Sequence, residues 1–476
     1  MRRLCSFCLA ILLLSVGLHV SPARSAPNAG QATESGITAT AGASAAARAQ
    51  NLLLSKGVTG ENTGAAVAVD PNTGNVLVVW TQLGVPPATG IPDDVIWASL
   101  LIRKGSGKYK KPRTRRLSAE GGSQFALDVA WIEANKEFFA IWEQNNAAAR
   151  GGFKRILGVP VNPRTGKPVG KVKTLVADDD SHASPVFVTG LAKQSGGSRK
   201  VVGSVGQILW RREPASSGDP TMEWASLSDT YETSNRATLP DSQIGFGSIL
   251  GSLALSGGAA RTRASPEGKA SPPCVIMLHK DGSPPNVIAT LTLWKNGKKV
   301  DTWPLGSGDK VTTIRPLKSS QAGQSLIGVH WSGFGTAFLS VRVPPCKEIR
   351  DAGSGDTPTV LNLASDLLGP QQVLALDPSQ ARRSHHRKDA PTDHLVTAED
   401  DGRVYRSAFD DQWNLLDGPE TLFSHGNKLT SLIAHNVASA KSSGKKPNAL
   451  IVWTKSVGTG LDQEIWAHSF YVVPFE

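Results

Sequence analysis

VLVVWTQ (residues 76–82), a Gly/Pro-rich loop and DDVIWAS (residues 93–99) decide how this chain is read. Two apolar runs joined by a polar loop signal a β-hairpin. The hairpin returns near the C-terminus as ALIVWTK (residues 449–455), a Gly-rich loop and DQEIWAHS (residues 462–469). Between the two copies a unit recurs: an apolar strand a, a strand b ending in Trp or an equivalent, then strands c and d. Candidate a strands begin near Ala65, Phe125, Pro185, Gly247, Val311, Gln371 and Leu429, a period of about 60 residues. Strands b are read as VLVVW, EFFAIW, a poorly marked one within residues 201–210, CVIMLH, SLIGVHW, HLVTAE and ALIVW. Three of the c strands share a Trp-Ala step, at Trp97, Trp224 and Trp466.

The seventh unit reaches Glu476 with no room for a d strand. NLLLS (residues 51–55) precedes the first unit as RRLS, KTLVA and ETLFS precede the second, third and seventh. A ring whose last sheet borrows that N-terminal strand leaves few exposed edges. Seven four-stranded units with this circular mismatch resemble a secreted seven-bladed β-propeller, over residues 51–476 and at the level of the fold. The expected class is therefore all-β, one propeller closed by an N-terminal strand. Tandem β-sandwiches would show linkers between domains, and residues 51–476 show none.

The composition fits a strand- and turn-rich chain, with 48 Gly, 30 Pro and 19% charged residues among 476. Arg2 and Arg3, an apolar run too short to span a bilayer, and Ala23-Arg24-Ser25 read as a cleavable signal peptide over residues 1–25. Residues 26–50, rich in Ala, Gly, Ser and Thr, read as a flexible leader. Loss of the signal leaves 48 basic against 40 acidic residues, a net charge of +8. The mature chain then carries no membrane-spanning run, and a secreted or periplasmic monomer is expected. Cys274 and Cys346 remain, and an isolated pair in an oxidising compartment is expected to form a disulfide.

Consecutive turns of a meander fall on opposite edges of the sheet, so the d–a and b–c loops share one face of the disc. The a–b and c–d loops share the other. The second set is strongly basic and includes RKGSGKYKKPRT (residues 103–114) and ARRSHHRKD (residues 381–389). Lys108, Lys110, Lys111, Arg382, Arg383, Arg387 and Lys388 are the expected anchors for a partner at the envelope: anionic polysaccharide, a membrane surface or an envelope protein. Nucleic acid fits least, because only Tyr109 interleaves with the basic runs. The first set is acidic and holds Asp94, the cluster Asp178, Asp179, Asp180 and His182, and Glu399, Asp400 and Asp401, which are expected to face a small ligand, sugar or peptide. Binding on that side is what the propeller resemblance implies. Clustered carboxylates suit Ca²⁺, but neither cluster matches D-x-D-x-D-G, so no cofactor is expected. His385 and His386 have no third ligand nearby, and no metal site is assigned.

The chain has no G-x-S-x-G elbow, no H-E-x-x-H helix and no S-x-D-x-G-x-T-W box. No catalytic residue is assigned, and a non-catalytic binding module is expected. Its rivals are a carbohydrate-active hydrolase or lyase, with Asp94, Asp180 and Asp400 converging over the channel, and a protein-interaction hub. The Trp residues closing strands b (Trp80, Trp142, Trp331, Trp453) are expected to pack between sheets rather than stack on sugars.

Overall fold

The computed structural model describes residues 50–85, 93–118, 122–145, 153–189, 206–216, 218–239, 249–255, 274–281, 288–295, 298–307, 311–318, 324–331, 335–342, 349–351, 371–375, 393–398, 403–409, 415–424, 429–436, 449–457 and 462–470. They form strands throughout. Strand β1 (Gln50–Leu53) comes first and stands apart in sequence from the sheet it joins. Blade 1 is β2 (Glu61–Val69), β3 (Val76–Val85), β4 (Asp93–Leu101) and β5 (Arg113–Arg116). Blade 2 is β6 (Ser123–Ile132), β7 (Glu137–Asn145), β8 (Lys154–Val161) and β9 (Lys173–Val176). Blade 3 is β10 (Ser181–Thr189), β11 (Gly206–Glu213), β12 (Thr221–Leu227) and β13 (Thr233–Thr238). Blade 4 is β14 (Ile249–Leu255), β15 (Cys274–Asp281), β16 (Ile288–Lys295) and β17 (Lys298–Ser307). Blade 5 is β18 (Val311–Lys318), β19 (Gln324–Trp331), β20 (Gly335–Arg342) and β21 (Ile349–Asp351). Blade 6 is β22 (Gln371–Ala375), β23 (Asp393–Ala398), β24 (Arg403–Phe409) and β25 (Leu415–Ser424). Blade 7 is β26 (Leu429–Asn436), β27 (Ala449–Ser456) and β28 (Gln463–Phe470), completed by β1.

The seven first strands close a ring. β2 lies against β6, β6 against β10, β10 against β14, β14 against β18, β18 against β22, β22 against β26, and β26 against β2. Blades 3 and 4 depart from the expected separate sheets. Parallel rungs Val188↔Ala254 and Thr189↔Leu255 fuse them into one eight-stranded sheet where two inner strands run side by side.

Closure follows a local rule visible twice. At the end of blade 1, Leu117 N and Ser118 N donate to Ile96 O, at 2.8 and 3.4 Å. Ile96 N donates back to Ser118 Oγ at 2.9 Å. In blade 7, Leu54 N and Ser55 N donate to Ile465 O at the same two distances, and Ile465 N donates to Ser55 Oγ at 3.0 Å. The Leu-Ser that follows a d strand thus holds the Ile-Trp-Ala step of strand c. The N-terminal copy does so from the opposite end of the chain, with Leu52↔Ala467 and Leu53↔Trp466 in register.

Strands β3, β7, β11 and β27 are buried on both faces, and side chains alternate between faces along a strand. Leu77 and Val79 of β3 therefore join the core shared with blade 2, whereas Val76, Val78 and Trp80 join the core shared with blade 7. In β7, Phe138, Ala140 and Trp142 face blade 1, and Phe139 and Ile141 face blade 3. Trp80, Trp142, Trp210 and Trp453 all point toward the preceding blade and are fully buried. They pack, as expected; the Trp331 side chain lies outside the described residues.

A second recurring device sits on the inner strands. A bulge interrupts β2 between Thr63 and Ala66, β6 between Phe125 and Asp128, and β10 between Ala183 and Val186. In β2 and β10 the bulge takes a positive φ, which Gly64 (65°) adopts freely and Ser184 (52°) adopts at a cost. One residue before each bulged segment's first partner lies a fully buried polar side chain: Asn62, Gln124 or His182. Trp80 Nε1 donates to Asn62 Oδ1 at 2.9 Å, and Trp210 Nε1 to His182 Nδ1 at 3.1 Å. In blades 1 and 3 the buried indole N–H is thereby satisfied, whereas Trp142 Nε1 of blade 2 finds no partner among the described residues.

If the two Leu-Ser clasps are equivalent, Leu54→Ala and Leu117→Ala should each destabilise the protein by roughly 2–5 kcal/mol. Urea unfolding checks this. A Leu54→Ala variant as stable as the parent would mean that β1 does not clasp blade 7.

Candidate functional site

On the face carrying the d–a and b–c connections, here the upper face, strand ends matter as much as loops. Asp94 is buried at the start of β4. Its Oδ1 accepts from Gly84 N at 3.0 Å and its Oδ2 from Gln124 N at 3.2 Å. Both oxygens are committed to joining the blade 1 hairpin to the start of blade 2.

Asp178, Asp179 and Asp180 do lie in the loop entering blade 3, but His182 belongs to β10 and is buried beneath them. Its Nδ1 accepts the Trp210 indole proton, which leaves Nε2 to donate to Asp178 Oδ1 at 2.6 Å. Asp178 Oδ2 accepts from Arg236 Nη1 at 2.6 Å, and Arg236 Nε donates to Glu223 Oε2 at 2.7 Å. Glu223 Oε1 lies 3.4 Å from Arg212 Nη1, and Arg212 Nε donates to Asp180 Oδ2 at 2.5 Å. Arg236 also lies over the Trp210 ring, 5.7 Å from its centroid. Burial pushes the Asp178 carboxyl up, but the Asp180 amide, Arg236 and His182 together outweigh it and hold the pKa at about 2. Asp179 is exposed. Two of the three loop carboxylates, Asp178 and Asp180, are therefore paired with arginines that a count of loop residues alone passes over, because Arg212 lies near the end of β11 and Arg236 lies in β13. Glu399, Asp400 and Asp401 lie outside the described residues. Among those described, no group of three His, Cys, Asp or Glu side chains is arranged to hold a metal ion.

Asp128 carries no motif and was invisible to sequence reasoning. It follows the bulge of inner strand β6, and its Oδ2 accepts from Phe187 N of β10 at 2.8 Å while Oδ1 accepts from Val129 N at 2.8 Å. Burial raises its pKa to about 6, against the two amide hydrogen bonds that lower it. It couples the inner strands of blades 2 and 3.

The opposite, lower face presents the basic hairpin between β4 and β5. Arg103 pairs with Tyr109, and Lys104 N donates to Lys108 O at 2.7 Å. Tyr109 turns inward and is 1% exposed. Its N–H donates to Gln50 Oε1 at 2.8 Å, its carbonyl accepts from Gln50 Nε2 at 3.1 Å, and its hydroxyl donates to Gly74 O at 3.3 Å. With the aromatic ring plugged into the core shared with blade 7, Lys104, Lys108, Lys110 and Lys111 are left exposed. None of the four forms an ion pair among the described residues. Arg164, Lys167 and Lys171 of the next blade's c–d turn are exposed beside them. Arg382, Arg383, Arg387 and Lys388 lie outside the described residues, as do the Cys274 side chain and Cys346.

No family model and no curated protein matches the sequence. Among solved structures, the chain is similar to the Dos1 propeller (8% identity, TM-score 0.38, covering 88% of this chain and 94% of that one). It is also similar to the β-propeller domain of the Trilobed protease from Pyrococcus furiosus, described as having an open velcro topology (9% identity, TM-score 0.42, covering 86% and 93%). A subtype N10 neuraminidase-like protein of A/little yellow-shouldered bat/Guatemala/060/2010 matches at 8% identity with a TM-score of 0.38, covering 74% and 94%. The likeness is one of fold. Among the described residues, no helix is long and apolar enough to cross a membrane.

Asp178 and Asp128 should give opposite pH dependences. With the Asp178 pKa depressed to about 2, its contribution is present above its ordinary carboxylate pKa and lost as pH falls toward 2. With the Asp128 pKa raised to about 6, the folded state holds the proton more tightly, so its contribution is present at low pH and lost as pH rises through about 6. Urea titrations from pH 2 to 8 should show the acid-side loss reduced in Asp178→Asn and the loss between about 4 and 6 flattened in Asp128→Asn. Curves superimposable on the parent's would refute both assignments.

Proposed function

We propose that the protein is an exported, non-catalytic propeller that docks through its basic lower face on an anionic polymer of the cell envelope. The upper face and channel remain for a small ligand, sugar or peptide. The observation that carries this reading is the Lys104–Lys111 segment, held by Tyr109 and Gln50 so that four lysines face solvent without acidic partners among the described residues. Solubility alone asks for no such clamp. Lysines fixed on a rigid base attract a polyanion at long range and lose less conformational freedom on contact than lysines on a loose loop.

The non-catalytic reading is supported by the upper face. A carboxylate pair for glycoside hydrolysis needs one group free to donate a proton and a second free to attack or to activate water. Asp94 is committed to two backbone amides and Asp180 to Arg212 and the Ala215 amide.

Retention on immobilised heparin tests the docking. The parent should bind at low salt and elute as salt screens the contact, and Lys108→Glu, Lys110→Glu and Lys111→Glu together should weaken binding about tenfold or more at ~0.1 M salt. The circular dichroism spectrum should stay unchanged. Equal retention of the parent and this triple variant, insensitive to salt, would remove the docking reading.

A further inference from the structure

We propose that the hairpin between β4 and β5 and the turn between β8 and β9 form one continuous site for a single linear acidic polysaccharide laid across the junction of blades 1 and 2, with Asn75 as its positioning residue. This rests on the docking reading above and narrows it to a place and a partner.

Asn75 ends the a–b turn of blade 1 and is 8% exposed. Its Oδ1 accepts from Arg103 N, at the base of the lysine hairpin, at 2.9 Å. Its Nδ2 donates to Pro163 O, in the blade 2 turn, at 3.3 Å. One side-chain amide therefore sets the spacing of two basic segments that come from different repeats. Two further contacts hold the segments together. Arg113 Nη1 donates to Arg164 O at 2.7 Å, and a Cβ added to Gly166 would stand 3.0 Å from Leu100 Cβ. The turn is itself pre-formed, since Asn162 Oδ1 accepts from the amides of Arg164 and Thr165 at 2.9 and 3.1 Å. Arg164, Lys167 and Lys171 are thus held on the same face as the hairpin lysines, and none of the three forms an ion pair among the described residues.

The chemistry of this surface favours a sugar polyanion over the other polyanions. Tyr109, the aromatic residue of the hairpin, is buried and offers no face to a nucleobase. Of the large apolar side chains on the two segments, Val169 is the exposed one, which is too little to enter a bilayer. The cations are mostly lysines, point charges suited to many weak contacts rather than to bidentate capture of one group. Affinity must then come from chain length. A polymer long enough to touch both segments gains from the second contact being intramolecular, and a short fragment does not.

The experiment measures the affinity of the full chain for heparin fragments of increasing length, from a disaccharide to a long chain. Variants are Lys108→Glu/Lys110→Glu/Lys111→Glu, Arg164→Glu/Lys167→Glu/Lys171→Glu, and Asn75→Ala. In the parent the long chain should bind at least about tenfold more tightly than the disaccharide. Either triple reversal should abolish that advantage, and Asn75→Ala should reduce it while leaving disaccharide affinity unchanged. If only the hairpin reversal weakens binding, the continuous site is wrong although docking stands. If neither reversal matters, both fall. Equal or tighter binding of phosphatidylglycerol vesicles or a single-stranded oligonucleotide would overturn the polysaccharide assignment. Should Asn75→Ala fail to fold, the turn reversal, on exposed side chains, still decides the matter.

Discussion

Everything in this fold depends on the pairing of β1 with β28, made between segments 417 residues apart at the Asn51–His468 contact. A propeller has no central core; it has a wheel of cores, each shared by two blades. With the ring open, blade 7 loses its outer strand and the core between blades 7 and 1 loses Leu52 and Leu54. The clasp is reinforced beyond the strand pairing. Asn62 Nδ2 donates to Gln463 O at 2.7 Å, and Thr114 Oγ1 of blade 1 donates to Leu54 O at 2.7 Å. The second contact recurs between blades 2 and 3, where Thr233 Oγ1 donates to Leu175 O.

The architecture was largely legible because burial on both faces forces long apolar runs in strands b and c, and the Trp closing strand b marks the phase. Every a strand begins within a few residues of its expected place, and the poorly marked b strand of blade 3 is β11, ending in Gln-Ile-Leu-Trp-Arg-Arg-Glu. The Leu-Ser step was recognisable as a repeated string, though not as a hydrogen-bonding device. Fusion of blades 3 and 4 left no trace in the sequence, since two parallel rungs are made by backbone atoms that any residue supplies.

The candidate site was less legible, for a physical reason. Counting charges by loop sorts the faces but ignores residues at strand ends, which project onto the same faces. Arg212 and Arg236 sit there, bridged by Glu223, and tie up Asp180 and Asp178. Asp128 and the polar series Asn62, Gln124 and His182 were missed because their meaning lies in position within the repeat. Aligned against the bulge, Asn62, Gln124 and His182 fall one residue before its first partner in three successive blades, and Asp128 falls just after it in blade 2. On the basic face, Lys108, Lys110 and Lys111 were found by composition alone. What holds them, Tyr109 against Gln50 and Asn75 between two loops, is long-range and could not have been.

The position of β1 also bears on how the chain reaches this state. The two strands of this pair lie more than 400 residues apart, so a long loop closure accompanies their pairing. Topologies dominated by such distant partners mature slowly, with unpaired edges open to mispairing in the interval. The adjacent blades can assemble progressively from nearby segments. Completion of the disc therefore rests on four residues, Gln50–Leu53, whose partners are the most distant in sequence of any strand pair among the described residues.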